Sequence, residues 1–406
     1  MPESVLPEAA LSEAMLSEDV LPETIVLQYV ASVAEIPAEL WPTTQPFLSR
    51  AFWQALEDSA AIGAGSSWLG QHIVLCSAEG QSLAALPLFV KNHNRGEYVF
   101  DHAWADAYRR YGLDYLPRLV TSVPFTPVTG QRVLLAAGIE LAVVWPMLAQ
   151  AIVALAERLQ ASSWHGLFVD QALSELATTQ PIESFPVAQR LNCQFLWTDQ
   201  GYGDFEGFLA ALTAKRRKSI RVERTKVATQ GITCCWLQGA ELTEADWNWF
   251  YQCYAMTYRV RGQQPYLQPS FFKQIGRDMP ESLALAQAVD AAGVPIAAAL
   301  FVQDEQTLYG RYWGALVEAD CLHFELCYYQ GIQYALQRGL RYFDPGTQGE
   351  HKLIRGFAPV YTQSLHWLRE PAFMAAIQDF VARERVAIEG YYQSTLQALP
   401  FKQADC

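Results

Sequence analysis

Residues 308–357 constrain this chain more than any other stretch. They read LYGRYWGALVEADCLHFELCYYQGIQYALQRGLRYFDPGTQGEHKLIRGF. The aromatic start predicts a short strand over 308–313. After a turn, apolar Leu326, Ile332, Leu336 and Leu340 predict an amphipathic helix from about 323 to Arg338, with Gly339 as its stop. A second strand ends at Asp344, and the loop after it is dense in glycine and charge. A strand that feeds directly into a helix leaves unpaired N–H groups at the helix start, which suit a phosphate or a carbonyl oxygen.

The rest of the composition bounds the answer. With 406 residues the chain is long enough for two or three domains, and 51% hydrophobic against 17% charged residues gives it a large core. The net charge of -13 makes it a poor general nucleic-acid binder, and DNA is not expected as a partner. The eight cysteines form no C-x-x-C pair and no zinc-ribbon spacing, which in a chain of this length reads as free thiols in a reducing cytoplasm. No signal peptide is visible, and no apolar run is expected to reach the ~18 residues of a membrane span. Residues 1–23 repeat a small-apolar, Ser/Pro, Glu unit and read as an acidic tail.

Strands are predicted at 24–32, 72–76, 83–90, 166–170, 284–289 and 296–302, with a further one at the start of 96–112. Helices are predicted at 47–57, 141–159, 247–258 and 270–275, and a basic one at 204–228. The two halves echo each other. Pro46-Phe47-Leu48 then Phe52-Trp53 resembles Pro265-Tyr266-Leu267 then Phe271-Phe272. The turn Ala78-Glu79-Gly80 resembles Ala291-Ala292-Gly293. Tyr98 to Trp104 resembles Tyr309 to Trp313, and the helix-to-strand step ending at Asp170 resembles that ending at Asp344. This order predicts two similar α/β domains (α+β in the looser sense) with mixed sheets flanked by helices, at 24–192 and 193–406, the first with an insertion near 108–138.

Chemistry concentrates in the second domain. Acylation of an amine needs a base to take a proton from the ammonium form, and His323 and Glu325 are the candidates. Glu325 also suits a helix start electrostatically. Tyr328 is a candidate general acid. Cys327, four residues after His323, is either a nucleophile oriented by that histidine or a buried thiol. The backbone at Phe324 and Leu326, with Lys352 and Arg355, is expected to hold donor phosphates. Tyr312, Asp344, Gln348, Glu350 and His351 are expected near the substrate. No metal is expected, since no H-E-x-x-H or Cys/His spacing is present. Seven cations and one acid between 215 and 226 make Arg217 and Arg221 candidates for a polyanion contact. Glu97, Asp101, His102 and Trp104 are expected to face the acceptor.

At these residues the sequence resembles the predicted N-acyltransferases labelled peptidoglycan biosynthesis/recognition proteins, relatives of the Fem-type aminoacyltransferases in the GNAT-like superfamily. The motifs are GEYVFDHAWADAY (96–108), PFTPVTGQRVL (124–134), KRRKSIRVER (215–224), LHFELCYYQGIQYALQRGL (322–340) and QGEHKLIRGFAPVYTQSLHW (348–367). The resemblance implies two tandem GNAT-like domains and transfer of an acyl or aminoacyl group from a small-molecule donor to an amine. No long coiled-coil arm is visible, which favours acyl-CoA as co-substrate, with no tightly bound cofactor, over aminoacyl-tRNA. The alternatives are a tRNA-dependent transferase and a non-catalytic module that recognises a glycan, lipid or peptide.

Overall fold

The computed structural model describes residues 9–10, 22, 24–347 and 349–402. Most of the acidic tail predicted over 1–23, and the candidate Gln348, lie outside the described residues. The chain forms two compact units, with Phe47–Asn192 and Thr362–Ala387 in the first and Cys193–Tyr361 in the second. The contiguous boundary expected from the sequence puts residues 362–387 with the second domain, whereas they pack into the first.

Along the first unit run β1 (Ala9–Ala10), β2 (Ile25–Val30), α1 (Arg50–Asp58), β3 (Leu69–Gly70), β4 (His72–Ser77), β5 (Ser82–Leu86) and β6 (Phe89–Lys91). Then come α2 (His102–Arg110), β7 (Arg118–Thr121), β8 (Leu134–Leu135), α3 (Leu141–Leu159), β9 (Ser163–Leu167), α4 (Gln171–Thr179) and the start of β10 (Ala188–Thr198). One sheet has the order β1-β2-β4-β5-β8. In the other, β6 joins β3 to β7, β7 lies parallel to β9, and β9 takes residues 364–368 on its far edge.

Local chemistry sets these elements. The Ser49 hydroxyl accepts from the Phe52 N–H at the start of α1, and the Asp170 carboxylate accepts from Leu173 at the start of α4. The hairpin of β4 and β5 turns at Gly80, whose φ of 85° only glycine adopts freely. Helix α3 is long and apolar enough to cross a membrane by length and composition, contrary to the expectation of no such run. It is a core helix: Val144, Trp145, Leu148, Ile152 and Leu155 pack among the buried residues of this unit.

The expected strand at 96–112 is absent. Residues 97–101 are irregular and α2 starts at His102, so Tyr98 to Trp104 does not match the strand at 309–313. The physical reason lies in two carboxylates. Glu97 and Asp101 turn inward onto the Arg118 guanidinium from β7, and the Lys91 ammonium meets Glu97 at 3.2 Å. Burying these four charges as a paired cluster overrides the β-propensity of Tyr-Val-Phe.

The second unit runs through α5 (Phe205–Ala211), α6 (Ala214–Thr229), β11 (Thr233–Gln238), α7 (Glu244–Arg259), α8 (Pro269–Asp278), β12 (Leu283–Val289) and β13 (Pro295–Gln303). It continues with β14 (Thr307–Ala315), α9 (Leu322–Phe324), α10 (Gln330–Arg338), β15 (Tyr342–Asp344), the start of β16 (Ala358–Leu368) and the end of α11 (Pro371–Gln397). Its strands are ordered β11-β12-β13-β14-β15, and β15 also pairs with Trp197 and Thr198 of β10. The α/β class with mixed sheets and flanking helices is the one expected. The basic helix expected at 204–228 is two helices, because the chain breaks at Leu212-Thr213, where Thr213 N–H bonds the Pro400 carbonyl at 2.8 Å.

Two features of β14 position the site. It pairs in parallel with β15 over Thr307–Tyr309 alone, so among the described residues its stretch from Gly310 to Ala315 has no strand on that side. Opposite β13 the register shifts between Leu300 and Phe301, leaving Arg311 as the extra residue of a bulge. Helix α7 packs directly on the backbone of β14: a Cβ on Gly314 would meet the Cys253 carbonyl at 1.7 Å.

Candidate active site

The end of β14 leads into a turn and a helix whose start is unusual. Cys321 sits in the left-handed region (φ 64°), α9 begins at Leu322, and residues Glu325–Tyr329 form a π turn before α10 takes over. Such π segments re-aim side chains within a helix. Glu325 N–H closes the first intrahelical turn on the Cys321 carbonyl at 3.0 Å. The N–H groups of His323 and Phe324 therefore lie ahead of that bond, while Leu326, fully buried, lies beyond it and serves packing.

His323 is part-buried among aromatic rings: Trp313 at 5.0 Å, Tyr328 at 5.4 Å and Phe324 at 5.6 Å between centroids. Among the described residues its ring nitrogens have no hydrogen-bond partner. Burial first, then the positive environment of His351, Arg355 and Lys352, lowers its pKa to about 4, so the imidazole is neutral at pH 7. His351 lies 6.2 Å away and bonds the Tyr328 hydroxyl through Nε2 at 2.8 Å. Its pKa is also lowered, by burial and then by Arg355 and Lys352. Burial pushes the Tyr328 phenol up, so it stays protonated. Burial likewise raises the Cys327 thiol, which fits the buried-thiol reading over a nucleophile.

Glu325 does not stand free. It is 4% exposed, and the Arg224 guanidinium bonds it through Nε at 3.1 Å and Nη2 at 3.0 Å. The Gln330 amide adds a third donor at 2.8 Å. Its carboxylate is therefore engaged by three donors. The other expected cations are also occupied. Arg355 bonds the Tyr329 hydroxyl, the His351 carbonyl and Glu223, with its guanidinium carbon 3.7 Å from the Phe324 ring centroid. Lys352 donates to the carbonyls of Gly346 at 2.6 Å and Thr347 at 3.1 Å, and burial lowers its pKa to about 8. Arg355 thus ties the loop to Tyr329 of the π turn, while Lys352 braces the loop internally.

The remaining candidates fall into place around these. Asp344 pairs with Arg311 at 2.7 Å and accepts from Gly346 N–H at 2.8 Å, which ties the end of β15 to the bulge. Tyr312 is buried, edge-on to Phe272 and Tyr254. Glu350 is exposed and accepts from Tyr391 at 3.4 Å. Arg217 reaches the carbonyls at the end of α5, Leu212 among them at 3.4 Å, and Arg221 pairs with Glu206 at 2.5 Å. Lys215, Arg216 and Lys218 in the same helix have no ion pair among the described residues.

In the first unit, Glu97 and Asp101 are 2% and 4% exposed, closed off with Arg118 and Lys91. They offer no open surface to an acceptor. Trp104 is buried against His366 at 4.8 Å. His102 alone of this group is exposed, with Nδ1 3.0 Å from the Asn94 amide.

An open cleft of 670 Å³ lies beside His323, bounded by the end of α7, the end of β14 and the turn to α9. Met256, Val260, Trp313 and Val317 line it. Nothing in the residue pattern signals this cleft, since its walls come from α7 and from the β14–α9 segment, distant in the chain. Arg224 shares a helix face with Arg217 and Arg221 in the sequence, but its partner Glu325, 101 positions away, was not legible there.

The chain belongs to the FemAB-like family, described as peptidoglycan biosynthesis/recognition, whose profile matches residues 32–403. No curated protein sequence matches it. Several solved structures follow a similar chain path at low identity. One is the C-terminal domain of a putative lysylphosphatidylglycerol synthetase from Agrobacterium fabrum (11% identity, TM-score 0.49, 86% of this chain and 95% of that one). Another is FemX (10%, 0.45, 85% and 96%). A third is a tandem GNAT protein from the clavulanic acid biosynthesis pathway (11%, 0.43, 86% and 99%).

Proposed function

We propose that this chain is an N-acyltransferase that moves an acyl group from an acyl-CoA-type donor to an amine. The observation that carries this reading is the neutral His323 imidazole, unpartnered among the described residues, at a helix start and beside an open cleft. In the reaction the amine nitrogen attacks the thioester carbon, the C–N bond forms and the C–S bond breaks. His323 takes the proton that the nitrogen sheds. The Tyr328 hydroxyl, hydrogen-bonded to His351, supplies a proton to the departing thiolate. The N–H groups of His323 and Phe324 receive a donor phosphate at the helix start. Family membership favours a cell-wall amine as the natural acceptor.

The test is a screen of labelled acyl-CoA donors against amines, with heat stability followed in parallel. Turnover with a CoA donor, and a rise in melting temperature with that donor, are expected. Neither effect with any CoA would remove the CoA version.

A second reading keeps the transfer but takes aminoacyl-tRNA as donor. Lys215, Arg216 and Lys218 favour it, since three cations in the first turns of α6 oppose the helix dipole and gain nothing from an internal partner. Absence of tRNA binding at low salt removes this version.

A further inference from the structure

We propose that the cleft beside His323 takes an amine carried on an apolar body, aliphatic or aromatic, rather than a sugar amine. The role of that amine as acceptor rests on the transferase reading above; its binding does not.

The walls decide the chemistry. Met256, Val260, Ala315, Leu316, Val317 and Leu322 give the cleft an apolar lining. Two of its five polar side chains are committed elsewhere. The Thr257 hydroxyl donates to the Trp313 carbonyl at 2.7 Å, and Asp320 pairs with Lys226 at 2.8 Å. Within the cleft that leaves the His323 ring, with Arg261 and Glu318 on exposed positions. A hydroxyl-rich ligand would have to give up its water for walls that return few hydrogen bonds, which is costly for each hydroxyl.

The mouth points the same way. Val260 is 73% exposed, Val317 45% and Leu316 36%, so three aliphatic side chains stand in water around one opening. An apolar ligand body covers them and gains the transfer of that surface out of water. The volume of 670 Å³ falls in the ~300–1,000 Å³ range of small-molecule sites. Glu318 and Arg261 oppose each other in the lining, so the apolar walls and not net charge select the ligand. His323, the proton acceptor, is in the same lining, so a bound amine reaches its base without leaving the apolar walls.

The experiment is calorimetric titration of the full chain with hexylamine, phenethylamine and glucosamine, followed by transfer assays on the same amines. Saturable binding of the first two and none of glucosamine is expected. The double variant Val260→Asn with Val317→Asn changes exposed positions, keeps its fold by circular dichroism, and weakens apolar-amine binding at least about tenfold. Val386→Asn, exposed to 69% in the first unit, leaves binding unchanged. Glucosamine binding as tightly as phenethylamine, or an unaffected double variant, overturns the proposal. Apolar-amine binding without turnover from any donor overturns the transferase reading and leaves the cleft assignment standing. Turnover that ignores the apolar body overturns the cleft assignment and leaves the transferase reading.

Discussion

Arg224 of α6 grips Glu325 in the π turn of the helix that follows β14, with donor–acceptor distances of 3.0 to 3.2 Å. This pair, and not an open carboxylate, is what the acid in the helix start provides. It fixes the basic helix to the helix that carries His323.

Removing one partner leaves the other's charge buried. Arg224→Ala is expected to cost about 2–4 kcal/mol of unfolding free energy, toward the lower end because the arginine side chain keeps 29% of its surface in water. Glu325→Gln costs less, since its amide still accepts from Arg224. Urea unfolding of the two single variants and the double variant gives the coupling. A Glu325→Gln protein with unchanged stability and abolished transfer would show that the carboxylate is the base after all.

Acid is expected to destabilise the fold through its neutral histidines. Burial lowers His323 to about 4 and His72 to about 3, below the unfolded value of 6.5. Between those values the unfolded chain binds more protons, so stability falls as pH drops below 6.5 and the loss is complete near the folded values. His323→Phe is predicted to make the urea-midpoint profile shallower between pH 6.5 and 4, by at most ~1.4 kcal/mol per pH unit. Equal slopes in the two proteins would contradict a neutral, part-buried His323.

The buried cluster of the first unit predicts a larger effect. Arg118 is 1% exposed and serves both Glu97 and Asp101, and the Tyr115 hydroxyl adds a bond to Asp101 at 2.6 Å. Arg118→Met leaves Glu97 to Lys91 and strands the Asp101 carboxylate, and is expected to cost about 3–5 kcal/mol. Adding Asp101→Asn, which keeps the Lys91–Glu97 pair, should recover much of that loss. If the double variant is no more stable than Arg118→Met in denaturant, the loss comes from packing and not from stranded charge.

If the donor is aminoacyl-tRNA, the free cations matter and the paired ones do not. Lys215→Glu, Arg216→Glu and Lys218→Glu together are expected to lower tRNA affinity and flatten its salt dependence by about 3 in slope, near one unit per lost contact. Arg221→Ala, whose side chain already faces Glu206, should change neither. The reverse pattern would return the polyanion contact to the paired arginines.

Local signals carried much of this architecture. The period of Leu326, Ile332 and Leu336 with the stop at Gly339 placed the helix, and Gly80 and Gly293, both near φ 80°, placed two hairpins. What failed was long-range. Tyr98-Val99-Phe100 has the composition of a strand, but Arg118 and Lys91 draw the flanking carboxylates inward. The grouping of charge around His323 was visible, yet not which charges cancel: Glu325 with Arg224, Glu223 with Arg355, Asp344 with Arg311. Cancellation depends on tertiary pairing, and it leaves the His323 ring without a hydrogen-bond partner among the described residues.

With a donor and amine in hand, the kinetics of His323→Ala decide whether the imidazole takes the proton. A fall in kcat of about 10²–10⁴ with donor KM changed less than about twofold is expected, since the imidazole acts on the proton and not on donor binding. Wild-type kcat in His323→Ala would contradict that role.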